Sequence, residues 1–293
     1  MKDENNNLKG SEIDSGTDEW INPIGGLGDT LMLSGVLKLV HDKFPEKRYN
    51  LIRRTEYTNF LREHPIIARV GFPPRGARII STTYWQDEHY GQEGNRAFQI
   101  LARMFGLETP VEEKLFLTGE PDDIFLKNNI IPWREKNVII APSSDSPRKV
   151  MHPMAWHHLV ERLYVDGIFV MQVGRPNEMH IKNTYSLLGA TNPRQIISLL
   201  GKANVIITSD NFIMHAAHLV QKPAVVLWGP TKPEFYGYTG HVHLRSQKIC
   251  ALQSECIGPK VPQNYPTPCP LGLEHCINQI PVEEIYKAVK KLL

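Results

Sequence analysis

Val205-Ile206-Ile207-Thr208, then Ser209-Asp210-Asn211, then residues 212–219, then Ala224-Val225-Val226-Leu227-Trp228 closed by Gly229-Pro230-Thr231: this stretch decides the fold. Both apolar runs are continuous rather than alternating, which is the pattern of strands covered on both faces in a parallel sheet. The segment between them has helix length, and each run ends in small polar turn residues. A strand, helix and strand in that order make a parallel crossover unit.

The same grammar extends in both directions. Upstream, Asn137-Val138-Ile139-Ile140-Ala141 is a second buried run turned by Pro142-Ser143-Ser144. Helices are expected over residues 154–164 and 193–200, a strand over 168–173, and a final helix over 282–292. Earlier still, residues 20–24 form a short strand ending in Gly25-Gly26-Leu27-Gly28-Asp29, and a helix follows over 30–44. Strands at 49–53 and 77–81 and helices at 57–63 and 96–105 continue the alternation. Pro121, Lys127-Asn128-Asn129 and Pro132 interrupt it. The expected organisation is therefore a first α/β lobe over 20–125 and a second over 126–293.

Composition fits a globular chain of 293 residues, with 41% hydrophobic and 22% charged residues and a net charge of +2. With that balance and no basic stripe, no nucleic-acid partner is expected. Residues 1–19 are acidic and nearly devoid of apolar side chains, so they are expected to be a disordered tail. They lack the apolar core of a signal peptide, and no later run is long enough for a transmembrane segment, so a cytoplasmic location is expected.

In open parallel sheets ligands bind outside the carboxyl ends of the strands. The loops there hold Gly25 to Asp29, Ser143-Ser144 with Lys149, Gly174 to Glu178, Ser209-Asp210-Asn211 and Gly229-Pro230-Thr231. Taken singly, each has a bland explanation as turn chemistry or a helix cap. Together they put hydroxyls, exposed N–H groups and a cation on one edge, which is what a diphosphate requires.

Four segments resemble glycosyltransferase family 9, the ADP-heptose lipopolysaccharide heptosyltransferases. They are Gly25-Gly26-Leu27-Gly28-Asp29-Thr30-Leu31-Met32, Ala141 to Ser144 with Lys149 and His152-Pro153, Val173 to Glu178, and residues 187–240. The resemblance implies a GT-B fold, two Rossmann-like lobes whose parallel sheets face a central cleft. It implies sugar transfer, with a heptose as the expected sugar, from an ADP-sugar or other nucleotide sugar to a glycan, lipid-linked or protein acceptor. Peripheral membrane association through the acceptor is left open. By the same resemblance Asp29 would be the general base and Lys149 would neutralise the leaving diphosphate. Ser143 or Ser144 would bind its oxygens, Glu178 the ribose, and Asp210, Asn211 and His215 the sugar diphosphate. Gly26, Gly28, Thr191 and Thr231 complete the expected donor set, and no catalytic divalent metal is implied. The chain departs from the family at Asn211-Phe212, where relatives carry a small hydroxyl residue and glycine, and at His152 in place of Trp.

Arg53, Arg54 and the loop 82–96, with Tyr84, Trp85, His89 and Tyr90, are the expected acceptor side, the aromatics serving either sugar stacking or packing. An epimerase or hydrolase on the same fold and a non-catalytic binding protein are the competing readings.

Cys250, Cys256, Cys269 and Cys276 form a cluster of their own in proline-rich sequence. A structural Zn or Fe site is expected ahead of free thiols or disulfides. His275 beside them is a substitute ligand or, more simply, a surface residue.

Overall fold

A computed structural model describes residues 19–53, 56–119, 122–247, 250, 256–257 and 262–293. Ten strands and eight α-helices are found among them. The first sheet holds β1 (Glu19–Asn22), β2 (Tyr49–Ile52), β3 (Ile67–Gly71) and β4 (Arg78–Ser81), in the order β3-β2-β1-β4. Around it lie α1 (Leu27–Lys43) and α2 (Ala97–Met104), and α3 (Ile124–Asn128) follows in the connection. The second sheet holds β5 (Asn137–Ala141), β6 (Phe169–Gly174), β7 (Tyr185–Leu188), β8 (Val205–Ser209), β9 (Ala224–Trp228) and β10 (Val242–Arg245). Its order is β10-β9-β8-β5-β6-β7, and every pairing in both sheets is parallel. The helices of this half are α4 (Pro153–Val165), α5 (Pro193–Leu200), α6 (Phe212–Leu219), α7 (Pro233–Tyr236) and α8 (Val282–Leu292). Both sheets are thus doubly wound, the smaller lacking the outer two strands of the larger, and together they form the expected GT-B architecture.

Strand order locates the functional edge. Each sheet reverses direction once, between β1 and β4 in the first and between β5 and β8 in the second. The loops leaving such a pair of strands part to opposite faces and leave a crevice between them.

The central runs are strands because every residue of β5, β8 and β9 is buried. The second sheet is therefore covered on both sides, with Ile139, Met171, Ile206 and Val226 in one apolar cluster and Val138, Ile140, Ile207 and Val225 in another. The two halves also trade side chains. Leu27 and Leu31 of α1 belong to the first of those clusters, while Phe235 of α7 sits in the first lobe's core with Leu33, Leu37 and Phe98. Arg96, at the N-terminus of α2, pairs with Glu113 and donates to the carbonyls of Glu234 and Gly237, fastening α7 to the first lobe.

Several expectations need correction. Glu19 is not tail but the first residue of β1, in register with Arg78 and ion-paired to it at 2.6 Å. The rest of the expected tail, residues 1–18, lies outside the described residues, as does Arg54. The helix expected over 57–63 is a 3-10 turn at Glu56–Phe60. Pro65 disfavours helical backbone at His64, and the chain enters β3 two residues later. The strands β3, β7 and β10 were not expected at all. No helix among the described residues is long and apolar enough to cross a membrane.

Candidate active site

The first crevice is built by pinning two loops together. After β4, Thr82 accepts the Ile24 N–H through its hydroxyl at 2.8 Å and donates its own N–H to the Asn22 carbonyl at 3.1 Å. The loop after β1 then turns at Gly25, whose φ of +114° favours glycine, and its Cβ-less face lies against the Asp29 carboxylate. Asp29 is the third residue of α1. Its Oδ2 accepts the Gly26 N–H at 2.7 Å, closing the turn like a capping box, and its Oδ1 accepts the Tyr84 hydroxyl at 2.7 Å. Burial pushes the Asp29 carboxyl pKa up, and it does so against the hydrogen bonds from Tyr84 and Gly26 and the charge of Lys149.

The second crevice holds the opposite arrangement. Lys149, at the end of the 3-10 turn Pro147–Lys149, donates to Asp210 Oδ2 at 2.7 Å, and the two side chains are only 13% and 6% exposed. Burial opposes the charge on each. The Asp210 carboxyl is nevertheless held below its ordinary range by Lys149, with Thr231 and His215 adding, and the Lys149 ammonium is held above its own by Asp210, Tyr265 and Asp29. Thr231 stands close enough to contribute, yet its hydroxyl completes no well-formed hydrogen bond. Asn211 caps α6 through Ile213 N–H at 2.8 Å and, through its amide, ties that turn to the Ser143 carbonyl at 2.7 Å. Its side chain is therefore committed to joining the loops after β5 and β8, and Ser144 adds a longer contact to the Asp210 carbonyl at 3.5 Å.

Two contacts bring the crevices face to face. A Cβ on Gly28 of α1 would lie 2.6 Å from Cδ2 of His215 of α6, so only glycine admits the imidazole there. A Cβ on Gly26 would come within 3.9 Å of the Asp145 carboxylate. His215 is 5% exposed, its Nδ1 is 2.7 Å from the Tyr238 hydroxyl, and burial lowers its pKa to about 4, leaving it neutral at pH 7.

A cavity of about 880 Å³ runs outward from the second crevice. Ser143, Ser144, Arg175 and Glu178 line it, and Pro268 and Leu273 form the far wall. The Glu178 carboxylate folds back against Gly174, in the space a side chain there would fill. Thr191 follows β7 on the same edge of the sheet, where its buried hydroxyl finds no partner. Eleven of the twelve expected catalytic and donor positions thus gather around the two crevices or line this cavity. Glu178 enters only as wall, and the Thr191 hydroxyl is bonded to none of the others.

The cysteines gather in an adjoining cavity of about 830 Å³, lined by all four together with His275. His275 is 5% exposed, so it is not the surface residue expected, and its Nε2 is buried without a partner. None of the four forms a disulfide, and burial, with Cys250 next in effect, pushes the Cys276 thiol up to about 11. Among the described residues no three His, Cys, Asp or Glu side chains stand in a ligating arrangement. Buried Arg148 binds this segment, donating to the Thr267 carbonyl at 3.0 Å and to Cys256 Sγ at 2.8 Å.

Three contributors lie outside the expected site. Tyr84 was placed on the acceptor side, Tyr238 was not singled out, and Tyr265, whose ring lies 6.0 Å from Lys149 Nζ, comes from the cysteine segment. Position after a strand end was signal enough for Tyr84. Nothing local marks Tyr238 or Tyr265, whose partners lie 23 and 116 residues away. Arg54 aside, the expected acceptor aromatics divide. Tyr84 is buried, Tyr90 packs edge-on against Phe235 at 4.7 Å, and His89 pairs with Asp87 in the open.

Comparison with known proteins finds heptosyltransferases. The chain is similar to lipooligosaccharide heptosyltransferase 2 of Haemophilus influenzae, with 34% identity over 50 residues, 17% of this chain and 14% of that protein. It thus spans about a seventh of the length of that curated relative. Among solved structures it is similar to the iron-containing heptosyltransferase TibC in complex with ADP-D-beta-D-heptose, at TM-score 0.69 and 17% identity over 94% of this chain and 75% of that one. It is also similar to the Escherichia coli ADP-heptose lipopolysaccharide heptosyltransferase II, at TM-score 0.66 and 13% identity over 94% and 98%. The model of glycosyltransferase family 9 (heptosyltransferase) matches residues 65–264, more than half of the sequence, and the chain belongs to that family.

Proposed function

We propose that this protein transfers a heptose from ADP-heptose to a hydroxyl of a glycan-bearing acceptor. The observation that carries the reading is the pairing of unlike crevices: a carboxylate with raised pKa in the first, and a buried ammonium beside hydroxyl-bearing loops in the second. Family membership and the ADP-heptose bound by a structural neighbour support the donor.

In this reading the acceptor hydroxyl attacks the anomeric carbon, its proton passes to Asp29, and the bond from that carbon to the diphosphate oxygen breaks. Lys149, Ser143 and Ser144 meet the charge that develops on the departing diphosphate. Asp210 holds Lys149 protonated and in place, and the donor then shares the ammonium with Asp210. His215, kept neutral, offers hydrogen bonds without adding charge. Glu178 takes the ribose along the wall of the larger cavity.

The four cysteines are proposed to hold a structural Zn or Fe ion. Their convergence on one cavity and the preference of these metals for thiolates support it. Such an ion would cross-link proline-rich chain too short of apolar residues to hold its own shape.

Mass spectrometry of reactions with ADP-heptose and a panel of glycan acceptors tests the function. Wild type is expected to give an adduct of one heptose, and Asp29→Ala none. Release of free heptose without an adduct, or equal transfer by both, overturns the reading. Metal analysis of the purified protein tests the cysteine site, and less than about a quarter of an equivalent of Zn or Fe rejects it.

A further inference from the structure

Asp29 has one side chain bound to it, contributed from across the first crevice. The Tyr84 hydroxyl reaches Oδ1 at 2.7 Å while the Gly26 N–H holds Oδ2 at 2.7 Å. Tyr84 is 4% exposed, with its ring edge-on to Trp85 at 5.1 Å and to Tyr236 of α7 at 6.5 Å. Behind it, the hydroxyls of Tyr236 and Tyr90 meet at 2.9 Å, so the phenol is backed by residues of both lobes. The backbone under it is pinned by Thr82 to the loop that carries Asp29.

We propose that Tyr84 is the positioning residue of the general base: its hydroxyl fixes the Asp29 carboxylate in the rotation that presents a lone pair to the acceptor hydroxyl. This rests on the reading of Asp29 as the base. A carboxylate offers two acceptor sites on each oxygen. One on each is occupied, so rotation about the carboxylate's own bond is stopped and one site per oxygen remains for the acceptor hydroxyl. Burial raises the Tyr84 phenol well above its ordinary range, with the charges of Asp29 and Tyr236 adding, so it stays protonated and donates to Asp29. Tyr84 keeps its proton throughout the transfer, and the acceptor's proton ends on Asp29. The same hydrogen bond favours the ionised base, countering burial. The other groups acting on Asp29 are the Lys149 ammonium, which also favours ionisation, and the Asp210 carboxylate, which opposes it. Asp145 near Gly26, His215 against Gly28, and the phenols of Tyr236, Tyr238 and Tyr265 complete the charged and titratable surroundings.

The test is the pH profile of transfer for Tyr84→Phe, which keeps the ring and removes only the hydroxyl. Losing a hydrogen bond to a charged group predicts a fall in kcat of about 10- to 100-fold. KM for the donor stays within about twofold, and the acidic limb moves to higher pH. A second variant carries 3-fluorotyrosine at position 84, which preserves packing and makes the hydroxyl a stronger donor, so its acidic limb moves to lower pH. Wild-type kcat in Tyr84→Phe, or a limb unmoved in both variants, overturns the proposal. Asp29→Asn run alongside separates the failures. If it retains transfer, the base reading itself falls. If it is inactive while both Tyr84 variants behave as wild type, only the positioning role falls.

Discussion

The two crevices each hold one largely enclosed aspartate, and the two are prepared for opposite states. Asp210 has an ammonium at 2.7 Å and its pKa is lowered, whereas Asp29 has only neutral donors in contact and its pKa is raised. Both lie where a doubly wound sheet reverses, Asp210 buried and Asp29 half-buried. What differs is whether the neighbouring strand end delivers a cation or a phenol. In the proposed reading one carboxylate is thereby a fixed counter-charge and the other the proton acceptor, a division set by environment rather than by residue type.

The strongest way to break this contrast is to neutralise each aspartate in turn. Asp29→Asn is expected to cut kcat by about 10²- to 10⁴-fold, the usual contribution of a general base, with ADP affinity preserved, as rate and calorimetric measurements would show. Its effect on stability should be the reverse of its effect on rate. A carboxyl whose folded pKa lies above the unfolded value of 3.8 costs stability at higher pH, so at pH 7 Asp29→Asn should melt above wild type. That advantage should vanish as the pH falls below 3.8, where both states bind the proton.

Asp210→Asn should behave oppositely. It leaves a buried ammonium without its counter-charge, a loss of about 3–5 kcal/mol in denaturant unfolding at pH 7. Wild type draws on the ionised Asp210 above the unfolded value of 3.8 and loses that support as pH falls through the lower folded value, so the gap between the two proteins should close in acid. If both variants shifted melting in the same direction, the contrast between the crevices would be wrong.

Smaller changes sharpen it. Gly28→Ala places a methyl group against His215 and should cost about 1–3 kcal/mol by forcing α1 and α6 apart. Since this also separates the crevices, kcat should fall more than the stability loss alone would suggest. Asn211→Ala removes the α6 cap and the tie to Ser143, an expected loss of about 1 kcal/mol in unfolding with a modest rise in donor KM.

How much of this was legible beforehand follows the physics of each element. The central strands β5, β8 and β9 could be read because burial on both faces demands unbroken apolar sequence. Three of the four edge strands, β3, β7 and β10, could not. Ile67-Ala68-Arg69-Val70-Gly71, Tyr185-Ser186-Leu187-Leu188 and Val242-His243-Leu244-Arg245 each pair on one side only and tolerate polar residues that break such a run. Residues of the crevices were legible as strand-end loops, including Asp29, Lys149 and Asp210. Their pairings were not, because Lys149 and Asp210 are 61 residues apart and Asp29 and Tyr84 are 55 apart, and only the sheet order brings them together.

The exchange of side chains between the lobes bears on how such enzymes could be recombined. Leu27 and Leu31 complete the second core, and Phe235 completes the first. A chimera spliced in the segment joining the two sheets would inherit each core with a piece of foreign filling. Shuffling between relatives should therefore succeed only when the opening turns of α1 travel with the second lobe's α6 and the α7 strap travels with α2. The heritable unit is the seam itself, and a library built on that rule should yield more folded progeny than one cut at the connecting segment alone.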